Sequence, residues 1–300
     1  MTLSPATSDH APAPAGRTDG NDASLAAVVE AELRKGTIEL PVLPEAAAQV
    51  RAIMAREGGA REIVGVIERE PALAAEVVRY ANSIAYAGLR EITDLQQAVM
   101  RLGLAAVERT VLALSARNAF QATDQGQERL YRSLWEHSIT TALAARRLTP
   151  RSAGFSAETA FLAGLLHDIG KLVVLRCLAT MRRRDPARHA FEEGTVLEFF
   201  EALHCRAGVA LAEVWNLPGE IREVIGRHHE ADLSGPTDLL VAIVQLADLV
   251  AAKLGATLKP PSDVSLLETA GARMLRLDDT RLATLLVDVE DDLARLQDAA

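Results

Sequence analysis

GLLHDIGKLVVL (Gly164–Leu175) sets a histidine and an aspartate side by side inside an apolar run. Desolvating an unpaired carboxylate costs enough that the group normally protonates or finds a partner. The partners of His167 and Asp168 must therefore come from elsewhere in the chain. Around this run apolar residues recur at helical spacing almost everywhere, and no sustained alternation of period two interrupts them.

The chain has 300 residues, 49% hydrophobic but only 4% aromatic, a balance that favours helix over sheet. The fold class expected is all-α. In a first block the spacing predicts helices over 24–36, 44–57, 60–69, 71–82, 94–102 and 104–119. Pro44 and Pro71 fall where a first helical turn tolerates proline, and Thr93 or Asp94 caps the helix that closes on Gly103. Polar QATDQGQE (Gln121–Glu128) separates a second block, with helices over 129–148, 156–178, 192–203, 204–216, 218–229 and 237–254. Ser156 can cap the helix that carries the opening pair. KPPSD (Lys259–Asp263) marks a second linker. Beyond it Leu282, Leu285, Leu286, Val289, Leu293 and Leu296 share one helical face, for docking on the core or for a homodimer contact.

A net charge of −9 argues against broad binding of a nucleic-acid backbone, which needs a basic face. Arginines 146, 147, 151, 182, 183 and 184 read as a solvated face, although local arginine clusters could meet a small phosphorylated ligand. Cys177 and Cys205, the only cysteines, make no disulfide framework, which points to a reducing, cytoplasmic setting. The first 23 residues lack an apolar core and carry three aspartates, so they read as a disordered tail rather than a signal peptide. LLVAIVQLADLVAA (Leu239–Ala252) is short and interrupted by Gln245 and Asp248, the pattern of a buried helix rather than a membrane span.

Seven histidines are present. His10 lies in the tail and His189 in an arginine-rich loop; His137, His167, His204, His228 and His229 all fall in or at the end of helices of the second block. Asp168 and Asp248 share that apolar setting. Each has an ordinary structural reading: a hydrogen-bonded core histidine, an imidazolium at a helix C-terminus, an aspartate paired with Lys or Arg. Together, five imidazoles and two carboxylates on helices of one block form a ligand set for one or two divalent ions. Neighbouring helical residues lie about 100° apart, so His167 and Asp168 can both reach a metal beside one helix wall.

The order His137, HD at 167–168, then Asp248 resembles the HD superfamily of metal-dependent phosphohydrolases. His204 and the pair at 228–229 look like the extra ligands of its two-metal members. One branch is closer: the HDOD domains (HD-related output domains) of bacterial signalling proteins. LPVLPEAAAQV, EREPALAAEVVRYANSIAYAG, ITDLQQAVMRLGL and VLALSARNAF look like that family's N-terminal portion. LWEHSITTALAARRL, AFLAGLLHDIGKLVVL, HCRAGVALAEVWNLP and IGRHH look like its HD portion. The resemblance runs from about Leu40 to Val250, with Glu70 where the family usually has Asp. Relatives that hydrolyse cyclic dinucleotides carry GYP after their HHE; here HHEADLSGP departs after Glu230. Ser133 stands where some three-metal relatives place a carboxylate.

The resemblance implies an N-terminal helical subdomain (24–120) packed on an HD-like helical bundle (128–258), with C-terminal helices over 264–300. It implies a bacterial signal-transduction output module, with no receiver domain on the same chain, acting mainly through a signalling protein partner. The HD pocket would serve as a metal or ligand sensor or a structural relic. The alternative is a phosphohydrolase acting on a nucleotide or cyclic nucleotide. In either case the implied cofactor is one or two divalent ions, Mn, Fe, Zn or Mg. Asp168 would bridge them, with His137, His167 and Asp248 on one and His204, His228 and His229 on the other. In the enzyme, Asp168 and Lys171 would carry the chemistry, Lys171 by taking phosphate charge.

Overall fold

The computed structural model describes residues 31, 41, 43–82, 91–121, 127–185, 192–233, 235, 238–258 and 264–298. The expected tail, the helix over 24–36 apart from Ala31, most of the polar segment after Gln121, the linker at 259–263, His10 and His189 lie outside them. Every regular element among the described residues is helical. The first block comprises α1 (Glu45–Ala55), α2 (Ala60–Ile67), α3 (Pro71–Ala81), α4 (Leu95–Leu102) and α5 (Leu104–Ala116). Pro71 occupies the first turn of α3. Asp94, not Thr93, caps α4 by accepting from the Gln97 amide at 2.8 Å.

The second block comprises α6 (Glu128–Leu148), α7 (Ala157–Leu166), α8 (Ile169–Arg184), α9 (Glu193–Val214), α10 (Gly219–Arg227) and α11 (Leu239–Lys253). The Ser156 hydroxyl accepts from the Thr159 amide at 3.1 Å and starts α7. Two boundaries differ from expectation. The helix expected over 156–178 is interrupted at the HD pair. There Asp168 takes φ −100°, ψ 11°, the bridge region between helix and strand. His167 Nδ1 donates to the Gly164 carbonyl at 2.7 Å, the acceptor an unbroken helix would offer to the Asp168 amide. Conversely, the helices expected over 192–203 and 204–216 are one, because nothing at Leu203–His204 stops α9.

The two blocks share one core. α5 packs against α7, and the Trp215 indole NH, just past α9, donates to the Pro41 carbonyl at 2.7 Å. Arg51 on α1 pairs with Glu108 on α5 at 3.0 Å and also donates to the Asn216 carbonyl. The C-terminal α12 (Ala270–Leu275) packs on α11 and α13 (Asp279–Asp298) on α6. Val289 and Leu285 are buried; Leu282, Leu286 and Leu293 pack against the same core, as the stripe implied, while Leu296 lies beyond the described side chains. Arg146 is half-buried rather than on the solvated face expected of it, whereas Arg147 is exposed as expected and ion-paired. Arg147 holds Asp292 at 2.7 Å and Asp288 at 2.8 Å, and Arg146 lies 5.2 Å over the Phe161 ring. Both arginines fix α13 and α7 onto α6. Among the described residues no helix is long and apolar enough to cross a membrane.

Candidate metal centre

Five elements converge on Asp168: α6 brings His137, the α7–α8 junction brings His167 and Asp168 itself, α9 brings His204, the end of α10 brings His228 and His229, and α11 brings Asp248. His137, His167, Asp168, His204 and His228 are buried. Asp248, Lys171 and Cys205 are half-buried and His229 is exposed, so one rim of the cluster reaches solvent. Two close approaches set its width. A Cβ on Gly164 would lie 3.0 Å from Ala142 Cα on α6, and one on Gly170 would lie 1.8 Å from the His204 carbonyl. Only glycine lets α8 cross α9 at that separation.

The ring tautomers follow from geometry. His137 Nδ1 faces the Ala256 carbonyl at 2.8 Å, His167 Nδ1 faces Gly164 O at 2.7 Å, and His228 Nδ1 faces Ile225 O at 3.1 Å. His204 Nδ1 faces the Phe200 carbonyl. A carbonyl can only accept, so each Nδ1 carries its proton and each neutral ring keeps a lone pair on Nε2. The Ala256 carbonyl is aimed by a Schellman turn after α11. Gly255 sits at φ 84°, with Ala256 N donating to Ala251 O and Gly255 N to Ala252 O.

Those Nε2 atoms point at one another. His137 and His167 are 3.3 Å apart, His204 and His228 3.2 Å, and His204 and His229 3.1 Å. Asp168 spans both groups. Its Oδ2 lies 3.4 Å from the Nε2 atoms of His137 and His167, and its Oδ1 lies 3.4 Å from His204 and 3.6 Å from His228. Oδ1 is buried and makes no hydrogen bond. Asp248 Oδ1 is 3.2 Å from His137 Nε2.

Burial pulls the His137 imidazole down, but Asp168 and Asp248 outweigh it and hold the ring up at about 9. Burial depresses His204 and His229 to about 4 and lowers His167. Burial works against charge on Asp168, yet Lys171 and the surrounding imidazoles hold its carboxyl well below the usual range. In the metal-free protein, Lys171 and the His137 imidazolium thus balance Asp168 and Asp248. Lys171 is not directed at solvent as a free phosphate contact; its ammonium pairs with Asp168 Oδ2.

The donor set fits a divalent metal. Ligands of one tetrahedral ion with metal–nitrogen bonds of 2.0–2.1 Å stand about 3.3 Å apart, matching the Nε2 spacings. The Nε2 lone pairs of His204 and His228 facing each other, and the unbonded buried Asp168 oxygen beside them, are groups that a cation satisfies and a proton on a neutral ring does not.

The HDOD domain family matches residues 40–231. The chain belongs to this family. An HDOD domain protein with unknown function from Geobacter sulfurreducens superposes with a TM-score of 0.64 at 21% identity, covering 92% of this chain and 97% of that one. A protein of Shewanella amazonensis SB2B, provisionally named a metal-dependent phosphohydrolase, gives a TM-score of 0.70 at 21% identity, covering 90% of this chain and all of its own. A provisionally named signal transduction protein of Marinobacter aquaeolei VT8 gives 0.61 at 23% identity, over 92% of this chain and 65% of that one. An uncharacterized protein of Treponema pallidum (strain Nichols) is 26% identical over 202 residues, 64% of this HDOD chain. The aligned region spans only 38% of that curated relative.

All eight residues singled out from the sequence, His137, His167, Asp168, Lys171, His204, His228, His229 and Asp248, fall in this one cluster. Sequence reasoning passed over Cys205, whose Sγ is 3.3 Å from His204 Nε2. It also passed over Arg227, which joins Glu223, Glu230 and Asp238 and holds the turn that presents His228 and His229. Adjacency to His204 was the available signal for the cysteine.

Proposed function

We propose that this HDOD protein is a regulatory module of bacterial signal transduction. Its HD cluster binds divalent metal, and its output passes through contact with a signalling protein partner. The observation that supports metal binding is the convergence of four carbonyl-oriented Nε2 atoms on the two oxygens of Asp168. The name of the Marinobacter relative supports the signalling side of the reading. His137, His167, Asp168 and Asp248 would hold one ion, and His204, His228 and His229 a second, beside the other oxygen of Asp168.

A metal bound only by the native state adds RT ln(1 + [L]/Kd), about 2.7 kcal/mol at a hundredfold excess over Kd. For a chain of this size each kcal/mol moves the melting point by about 2–4 °C. Elemental analysis of the purified protein and melting curves with chelator and with excess Mn²⁺, Fe²⁺ or Zn²⁺ test the reading. A rise of several degrees is expected, and Asp168→Asn, which keeps the shape and removes the charge, should abolish most of it. Identical curves with chelator and with each metal would refute metal binding.

A second reading, hydrolysis of a phosphoester in a nucleotide or cyclic nucleotide, is favoured by one observation. Asp248, His229 and Lys171 leave a polar rim open to solvent beside the cluster. A bound metal supplies Lewis acidity toward a phosphoryl group. Lys171, paired with Asp168 in the metal-free protein, would turn its ammonium toward the phosphoryl charge. A phosphodiesterase screen of the metal-loaded protein distinguishes the two readings.

A further inference from the structure

Cys205 follows His204 on α9 and projects to the same side of the cluster, half-buried beside the solvent-facing His229. Its Sγ is 3.3 Å from His204 Nε2, and the donor atoms of His204, Cys205, His228 and His229 all lie within 4.8 Å of one another. A tetrahedral ion with metal–nitrogen bonds of 2.0–2.1 Å and a metal–sulfur bond of 2.3 Å has edges of about 3.3–3.6 Å. The three nearest contacts, 3.1, 3.2 and 3.3 Å, all radiate from His204 Nε2, as three edges meeting at one corner of such a figure do. An independent feature points to a cation here. His204 and His228 turn lone pairs toward each other because main-chain carbonyls hold their Nδ1 protons. The adjacent Asp168 Oδ1 is buried with no hydrogen bond.

We infer that His204, Cys205, His228 and His229 form a closed three-nitrogen, one-sulfur site for a zinc-class ion. The inference rests on the metal reading above and deepens it. A soft thiolate selects zinc over manganese or magnesium, which prefer oxygen donors. It also fills the fourth position that a catalytic zinc leaves open, which gives this position a structural or sensing role rather than one in turnover. Binding replaces the Sγ–H bond by an Sγ–metal bond and sends one proton to solvent.

Cobalt(II), which takes the same tetrahedral geometry, tests this with a readout independent of activity. The full chain, stripped with chelator and loaded with Co²⁺, should show intense visible bands and a near-ultraviolet thiolate-to-cobalt charge-transfer band. Cys205→Ser and Cys205→Ala should each lose the charge-transfer band and bind zinc at least about tenfold more weakly. Cys177→Ala, which removes the other thiol, should keep the band. Cobalt bound by the wild type without that band would overturn the thiolate ligand and leave the histidine–aspartate centre standing. A band that persists in both Cys205 variants would overturn it too. No cobalt bound at all would overturn both this inference and the metal reading on which it rests.

Discussion

Gly170→Ala adds a single methyl group at the point where α8 crosses α9. The new Cβ would stand 1.8 Å from the His204 carbonyl oxygen and 2.5 Å from the Gly208 amide nitrogen. Both are main-chain atoms inside a helix, so no side-chain rotation relieves the clash. The helices must part by more than about 1 Å to restore an ordinary van der Waals contact. Overpacking of this kind costs about 1–3 kcal/mol, which for a chain of this length lowers the melting point by roughly 2–12 °C. The effect on the site is sharper. Metal–ligand distances tolerate about ±0.2 Å, and His204 rides on the displaced helix while Asp168 stays with the other. Metal affinity should fall by about 10–100-fold, the loss typical of disturbing a ligand's support. Thermal unfolding and calorimetric titration with zinc, on wild type and variant, measure the two effects separately. An unchanged melting point together with unchanged zinc affinity would refute the close-crossing argument.

The metal-free protein should be most stable near pH 6.5. Below that, the unfolded chain takes up protons that His204 and His229, depressed to about 4, refuse, so stability falls between pH 6.5 and 4. Above it, the stability contributed by His137, held at about 9, is lost as pH rises from 6.5 to 9; denaturant melts across this range show whether both flanks decline. Metal binding at pH 7 should release at least one proton, since His137 must give up its imidazolium proton to coordinate. Calorimetry in two buffers of different ionisation heat would detect this, and buffer-independent heats would contradict it. Cyclic di-GMP should not be hydrolysed at a useful rate even with Mn²⁺ or Fe²⁺, because the chain departs from the GYP pattern after Glu230. Steady turnover that disappears in Asp168→Ala would favour the enzyme reading instead. Ser156→Ala should cost about 1 kcal/mol by leaving the Thr159 amide without its cap, read as a shift in denaturant midpoint with unchanged slope.

Helices such as α1, α3 and α6 were legible because their apolar spacing, prolines and polar boundaries are local properties of the chain. The break between α7 and α8 was not. Ile169, Gly170 and Leu172 continue the apolar pattern without a stop signal, and the interruption comes from a His167 side chain bonded to its own helix. The continuity of α9 through Leu203–His204 was missed for the opposite reason: the histidine there fits the helix by bonding back to Phe200. The candidate ligand residues were legible as residue types. Their order around Asp168 was not, since it depends on how five separate elements cross. The contacts of Arg146 and Arg147 were not legible because their partners, Phe161, Asp288 and Asp292, belong to other elements. Lys171 was found, but its ion pair with Asp168 is a matter of side-chain direction that spacing alone leaves open.

The rings of His137, His167, His204 and His228 are oriented by the carbonyls of Ala256, Gly164, Phe200 and Ile225. Every amino acid supplies such a carbonyl, so of those four positions only Gly164, packed on the α6 backbone, depends on residue type for the imidazoles to present Nε2. The outer layer of the cluster is therefore written in the path of the backbone, and it tolerates sequence drift wherever that path is kept. Its weak points are the few places where the path itself depends on residue type, the close helix contacts at Gly164 and Gly170 and the left-handed turn at Gly255. A sequence could thus diverge across most of this fold and still carry a working cluster, while a single methyl group at one of these glycines strains the path that holds it.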